Sequence, residues 1–188
     1  MVFALQLLSN KKLQHVHEQP ETPGAFVDLE LRQWALQDLD AAAHLTVRTY
    51  QQVVDRQITY HYQSLEDCRN FLSSIILRPG CGTFLPEASY VARDRKSEEL
   101  VGYILTSRIS HTDGHIPQIV VAMGHQGRGI GTGLLVRAIR YLKLNGYRTV
   151  SLSVTEANTA AVDLYGRFGF TVAYRFPAFV WSRTHMPG

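Results

Sequence analysis

Gln126-Gly127-Arg128-Gly129-Ile130-Gly131-Thr132-Gly133 lies between an apolar run, Ile116 to Met123, and a segment in which Leu134, Leu135, Ala138, Ile139 and Leu142 recur at helical spacing until Asn145-Gly146 ends it. Glycine lets the backbone adopt positive φ and lets amides approach a ligand closely. The first turn of the helix that follows has free N–H groups and the positive end of its dipole, so loop and helix together form an anion site. The stretch predicts a strand–loop–helix unit that holds a pyrophosphate. A tight turn without a ligand has the same glycine content, so neighbouring signals must decide. Two other glycine loops fit poorly. A P-loop ends in Gly-Lys-Ser/Thr, whereas this one ends Gly131-Thr132-Gly133, which disfavours a nucleotide switch. A dinucleotide loop wants an acidic residue about 20 positions on, and Asn145 to Thr149 contains no carboxylate.

Outward from this unit, the chain alternates between period-2 and helical patterns. Ala25 to Arg32 reads as a strand, followed by a helix capped by Asp38 or Asp40 and running to about Gln51. Ser64 with Asp67 resembles a capping box and opens a second helix that Pro79-Gly80 stops. Strands are predicted at Ser89 to Arg93, Leu100 to Ile109 and, after a hairpin signal at Thr112-Asp113-Gly114, Ile116 to Met123. Beyond the central helix come a strand at Thr149 to Thr155, a helix at Thr159 to Phe168 and one or two closing strands in Phe170 to Arg183. The order β-α-α-β-β-β-α-β-α-β makes a mixed α/β domain whose sheet combines antiparallel hairpins with parallel crossovers. Residues 1–24 are set apart as a leader, with Val2 to Leu8 as strand or short helix and Glu18 to Gly24 as a linker; residues 25–188 form the domain.

Composition narrows the classes. The 188 residues are 45% apolar and 19% charged with a net charge of +3, which suits one folded domain. No Lys/Arg block marks a nucleic-acid arm, and no stretch approaches the roughly 20 apolar residues of a membrane span. Cys68 and Cys81 are too far apart for a short metal knuckle and read as free thiols. The start places its apolar stretch before Lys11 and Lys12, the reverse of a signal peptide, so the expectation is a soluble, cytoplasmic protein. The histidines include no helical His-x-x-x-His pair, and no metal is predicted.

Ile119-Val120-Val121-Ala122-Met123 followed by Gln126-x-x-Gly129-x-Gly131 resembles the first cofactor signature of the GNAT superfamily of N-acetyltransferases. Asn158-x-x-Ala161-x-x-Leu164-Tyr165-x-x-x-Gly169-Phe170 is similar to its second signature, and the pair stands in the right order over about residues 25–183. Met123 departs from the pattern, which often has proline there. The resemblance implies a mixed sheet of six to seven strands flanked by about four helices, with a splayed strand pair holding acetyl-CoA. It implies that the backbone of Ile119, Val120, Val121 and Met123 binds pantetheine. Gln126, Gly127, Arg128, Gly129, Ile130, Gly131, Thr132 and Gly133 form the loop, with the amides of Gly127 to Thr132 on the pyrophosphate. Asn158 then meets the pantetheine arm, although a helix N-cap suits it equally. Tyr165 stands at the general-acid position, where it protonates the leaving thiolate; core packing is its bland reading.

The base is open. The position of one branch's glutamate holds Ser153, and counting back from Gln126 to another branch's glutamate reaches His115. Histidine is a good base near neutral pH, yet His115 follows a turn and precedes Pro117; Glu156 is the next candidate and Glu30 a distant third. The function implied is acetyl transfer to a primary amine of a small molecule or peptide by direct attack in a ternary complex, with a non-catalytic acyl-CoA-binding module as the alternative. Tyr50, Tyr60, His61, Tyr62, Phe176 and Phe179 fall where the family places its acceptor, as pocket wall or as core. The apolar Ala173 to Trp181 around Pro177 suggests a homodimer.

Overall fold

A computed structural model describes residues 2–10, 13, 26–50, 60–78 and 80–179. The strands are β1 (Val2–Asn10), β2 (Leu29–Gln33), β3 (Thr83–Phe84), β4 (Tyr90–Asp94), β5 (Leu100–Arg108), β6 (Asp113–Val121), β7 (Thr149–Thr155) and β8 (Thr171–Phe179). The helices are α1 (Leu39–Tyr50), α2 (Leu65–Leu77), α3 (Ile130–Leu144) and α4 (Thr159–Arg167). They build one eight-stranded mixed sheet in the order β2-β4-β5-β6-β7-β1-β8, with the two-residue β3 paired to β5. Every described pair is antiparallel except β6 with β7, because the crossover through α3 returns β7 in the same direction. No helix among the described residues is long and apolar enough to cross a membrane.

Both faces of the sheet are covered. Leu134, Leu135, Ala138 and Leu142 of α3 are buried against Ile104, Ile116, Val150 and Leu152, with Tyr165 and Phe168 at the α4 side. Leu45 of α1 and Cys68, Leu72 and Ile75 of α2 pack on Val91, Tyr103, Leu105 and Val120 of the opposite face. A fully buried leucine contributes about 2 kcal/mol by removal from water. These two cores hold the strands between them rigid.

Several boundaries shift for physical reasons. The strand expected from Ala25 starts at Leu29; Phe26 to Asp28 form a turn closed by the Leu29 amide on the Phe26 carbonyl (3.1 Å). Neither Asp38 nor Asp40 caps α1. Asp38 closes a short 3-10 turn over Leu36–Asp38 by accepting from the Ala35 amide at 2.9 Å, and its carboxylate is buried between Arg32 and Arg93. Ser64 does cap α2, accepting from the Asp67 amide at 3.0 Å. The stretch 1–24, read as a leader, contributes β1, which lies inside the sheet and pairs antiparallel with both β7 and β8. Residues 18–24, expected as a linker, lie outside the described residues. Cys68 and Cys81 are both free, and burial pushes the Cys68 thiol up to about 11, which makes it an inert core residue.

Two features of β6 position the site. Leu105 faces Gln118 and Ser107 faces His115, so β6 carries one extra residue, at Ile116–Pro117, opposite Thr106. That bulge sits where Pro117 has no N–H to offer either neighbour. It also exchanges faces: Gly114 and Ile116 lie on the α3 side, whereas Gln118 reaches Tyr62 and Val120 joins the α1/α2 core. The second feature is the end of pairing. β6 and β7 run in register only from Asp113 with Thr149 to Ile116 with Leu152. Beyond that pair the two strands diverge and leave a gap between Pro117–Val121 and Ser153–Thr155.

Candidate functional site

The Ala122 amide donates to Val101 of β5 at 2.8 Å. Backbone groups alternate sides along a strand, so those of Val120 also face β5, while those of Ile119 and Val121 face the gap. Gln126 Nε2 donates to the Val121 carbonyl at 3.1 Å, which ties the loop to the edge of the gap. The loop then turns through Gly127 and Gly129, at φ 74° and 83°, where a side chain would be strained. Gly129 is the N-cap of α3, and the first bond inside the helix runs from the Gly133 amide to the Gly129 carbonyl at 2.9 Å. The amides of Ile130, Gly131 and Thr132 therefore stand at an open helix N-terminus with no intrahelical acceptor.

These elements surround a cleft of about 610 Å³ lined by Ile119, Val120 and Val121, by Gln126, Gly127, Gly129, Ile130, Gly131 and Thr132 of the loop, and by Asn158, Leu164 and Tyr165 of the α4 region. Met123 and Arg128 are exposed and fall outside that lining. Gly133 serves packing: a Cβ there would lie 2.3 Å from the Phe26 ring. Asn158 caps α4, its Oδ1 accepting from the Ala161 amide at 3.3 Å, and lines the cleft as well.

A second cavity of about 280 Å³ adjoins the first through shared walls at Tyr50, Ile119, Asn158, Ala161 and Tyr165. Its other walls are Tyr62 and Phe71 on the helical side and Gln118, Ser153 and Thr155 on the strands. Tyr50 and Tyr62 are stacked at 4.3 Å, and Tyr62 meets Phe71 edge-on at 6.0 Å. Tyr165, 5% exposed, stands at the junction with its ring 5.8 Å from Phe170. His61 stacks on Phe71 outside the lining, Phe176 is exposed on β8, and the side chains of Tyr60 and Phe179 lie outside the described residues.

The two candidate bases sit elsewhere. His115 Nδ1 is 2.9 Å from Ser151 Oγ across the paired part of β6 and β7, and neither cavity includes it. Burial lowers its pKa below the ordinary 6.5, against a smaller upward pull from Ser151, so the ring is neutral at pH 7. Glu156 is bound by Arg175 of β8 at 2.8 Å and lies outside both linings. Glu30 is on β2, paired with Arg93 of β4, at the far edge of the sheet. No group of three or more potential metal ligands occurs among the described residues. Sequence reasoning passed over Gln118, though a polar side chain inside the apolar run Ile116 to Met123 was the available signal.

A mixed sheet opened between parallel strands, with a helix N-terminus at one end of the gap, gives an α/β domain with two adjoining chambers. The chain belongs to the acetyltransferase (GNAT) family, whose model matches residues 39–170. It is 35% identical over 95 residues to an uncharacterized N-acetyltransferase, YobR, of Bacillus subtilis, covering 50% of this chain and 34% of that one. It is 40% identical over 62 residues to the N-alpha-acetyltransferase MAK3 of Arabidopsis thaliana (33% of each), and 34% identical over 94 residues to a mycothiol acetyltransferase of Gordonia bronchialis (50% of this chain, 30% of that one). The chain thus spans about a third of the length of these relatives. Among solved structures, the fold is shared with the ribosomal-protein-S18-alanine N-acetyltransferase of Escherichia coli, at TM-score 0.60 and 18% identity over 84% of this chain and 99% of that one.

Proposed function

We propose that this chain transfers an acetyl group from acetyl-CoA to a primary amine by direct attack in a ternary complex. The observation that carries the reading is the end of β6–β7 pairing at Ile116 and Leu152, which joins two cavities at Tyr165. The larger cavity fits an extended anionic cofactor. The amides of Gly127 to Thr132 meet its pyrophosphate, and the backbones of Ile119 and Val121 meet the amide groups of its arm. Asn158 adds a contact through Nδ2, because Oδ1 is used in capping α4. Acetyl-CoA supplies the activated acetyl group at the junction. There a backbone amide facing the gap polarises the acyl oxygen, and Tyr165 delivers a proton to the leaving sulfur. The acceptor enters from the smaller, aromatic cavity. Relatives named as an N-alpha-acetyltransferase and as a mycothiol acetyltransferase support an acceptor among peptides or small molecules.

Turnover of acetyl-CoA by the full chain over a panel of primary amines tests the reading; binding of acetyl-CoA without turnover of any amine leaves the non-catalytic module. The loop gives a sharper expectation. Gly131 is not at positive φ, and a Cβ there makes only ordinary contacts with Val121 (3.6 Å) and Leu164 (3.7 Å). Gly131→Val therefore keeps the fold while crowding the helix N-terminus, and acetyl-CoA affinity should fall about tenfold or more, roughly 1.4 kcal/mol. Unchanged affinity by calorimetry refutes the loop assignment.

Neither His115 nor Glu156 is assigned the base. The attacking amine loses its proton to water, and His115→Ala should leave the pH dependence of kcat/KM in place. Disappearance of an acidic limb centred below pH 6.5 in that variant would return the role to His115, acting through Ser151 and Ser153 on the same face of β7.

A further inference from the structure

Gln118 is 5% exposed and lines the smaller cavity. Its Oε1 accepts from Tyr62 Oη at 3.0 Å. Its Nε2 has no hydrogen-bond partner among the described residues. The nearest rival is Tyr103 Oη in the core behind it. That hydroxyl shares a 2.5 Å hydrogen bond with Thr46 Oγ1, and a polar contact from the Gln118 amide also pulls its pKa down against burial, but the contact does not reach hydrogen-bond geometry at Nε2. Leaving a buried donor unsatisfied is costly, so a donor held in this state in a cavity wall is poised for a ligand. The β6 bulge puts it there. By strict alternation from Gly114 and Ile116, Gln118 would fall on the face that packs under α3, and the extra residue at Ile116–Pro117 breaks that alternation.

We infer that Gln118 sets acceptor specificity by donating an Nε2–H bond to an oxygen that lies close to the acceptor's amine. The substrate class is a primary amine flanked by a carbonyl or hydroxyl oxygen, as in an α-amino amide, with its side chain against Tyr50, Tyr62 and Phe71. This rests on the acetyltransferase reading above. The aromatic wall accepts an apolar amine with or without the oxygen, so the wall alone does not distinguish the two. A site built to hydrogen-bond a substrate group rejects the analogue that lacks it, because its own polar atom is left unpaired.

The test compares phenylalaninamide with 2-phenylethylamine as acceptors, using the full chain and acetyl-CoA. Wild type, Gln118→Leu and Gln118→Met are each checked for folding by thermal unfolding, the second variant covering the first. The two amines differ in basicity, but that difference is common to all three proteins and cancels in the ratio of their selectivities. The kcat/KM preference for the amide should fall at least about tenfold in both variants, with 2-phenylethylamine turnover changed much less. Equal losses on both acceptors would make Gln118 a packing residue and overturn the inference. So would a wild-type enzyme that prefers 2-phenylethylamine, or one that acetylates other amines but neither of these. Failure to turn over acetyl-CoA with any amine defeats the acetyltransferase reading itself.

Discussion

Tyr165→Phe is expected to lower acetyl transfer by about 10²–10⁴-fold, the usual cost of losing one positioned proton donor. The substitution removes a hydroxyl and leaves the ring in place beside Phe170, so packing at the junction of the cavities should persist. Acetyl-CoA affinity should hardly change, because the lost interaction matters as charge develops on the departing sulfur. The measurement is single-turnover transfer at a pH where chemistry limits the rate, with calorimetry on the same sample. Wild-type turnover in the variant would reduce Tyr165 to a packing residue of the buried α4 face and leave protonation of the departing thiolate to water.

The second large effect is on stability. Asp38 is fully buried, and Arg32 and Arg93 reach its carboxylate at 2.6 and 3.0 Å. Burial alone would raise its pKa, but hydrogen bonds from Arg32, the Ala35 amide and Arg93 outweigh burial and hold the carboxyl below its usual range. Asp38→Ala leaves two guanidinium groups facing one another without their shared anion, and it opens the 3-10 turn. Removing one partner of a buried ion pair costs about 3–5 kcal/mol, which urea unfolding should show as a large fall in midpoint. The sign of the pH effect follows from the lowered pKa. The folded state holds its proton less tightly than the unfolded chain, so this stabilisation is full above the unfolded pKa of about 3.9 and is lost as pH falls through the lower folded value. A variant with wild-type stability at pH 7 would show that the two arginines are equally well hydrated without Asp38.

What was legible in the chain was what local chemistry decides. Thr149–Thr155 matches its expected bounds because a compact β-branched run has one period. Ser64 caps α2 because the side chain reaches its own helix. The glycine loop and the helix after it could be placed from residue types alone. The features that depend on distant partners were not legible. Asp38 looks like a local cap, and only the return of Arg93 on β4 makes it the centre of a buried triad. Pro117 read as a disturbance to a strand, but the residue count opposite Thr106 was needed to see a bulge that turns Gln118 to the other face. The side chains of His115 and Gln118 are three positions apart on one strand, and counting along a motif favoured the first while the geometry puts the second in a cavity wall. The expected self-association surface is in part an edge: β8 is the last strand of the sheet, with Tyr174 70% exposed, while residues 180 and 181 lie outside the described residues.

The position of β1 has a kinetic consequence. Leu5 pairs with Thr155, and Val2 with Phe179 on the other side. During synthesis this strand leaves the ribosome before either partner exists, and nothing in the first half of the chain can pair with it in the native way. Contacts of such long sequence separation close slowly, because the loop entropy must be met before the pairing rewards it. Completing the sheet natively requires β1 to take its place between β7 and β8, a slot whose two walls come from much later in the sequence. A sheet lacking β1 would leave open the β7 and β8 edges that β1 pairs with, and such edges invite mispairing with neighbouring chains.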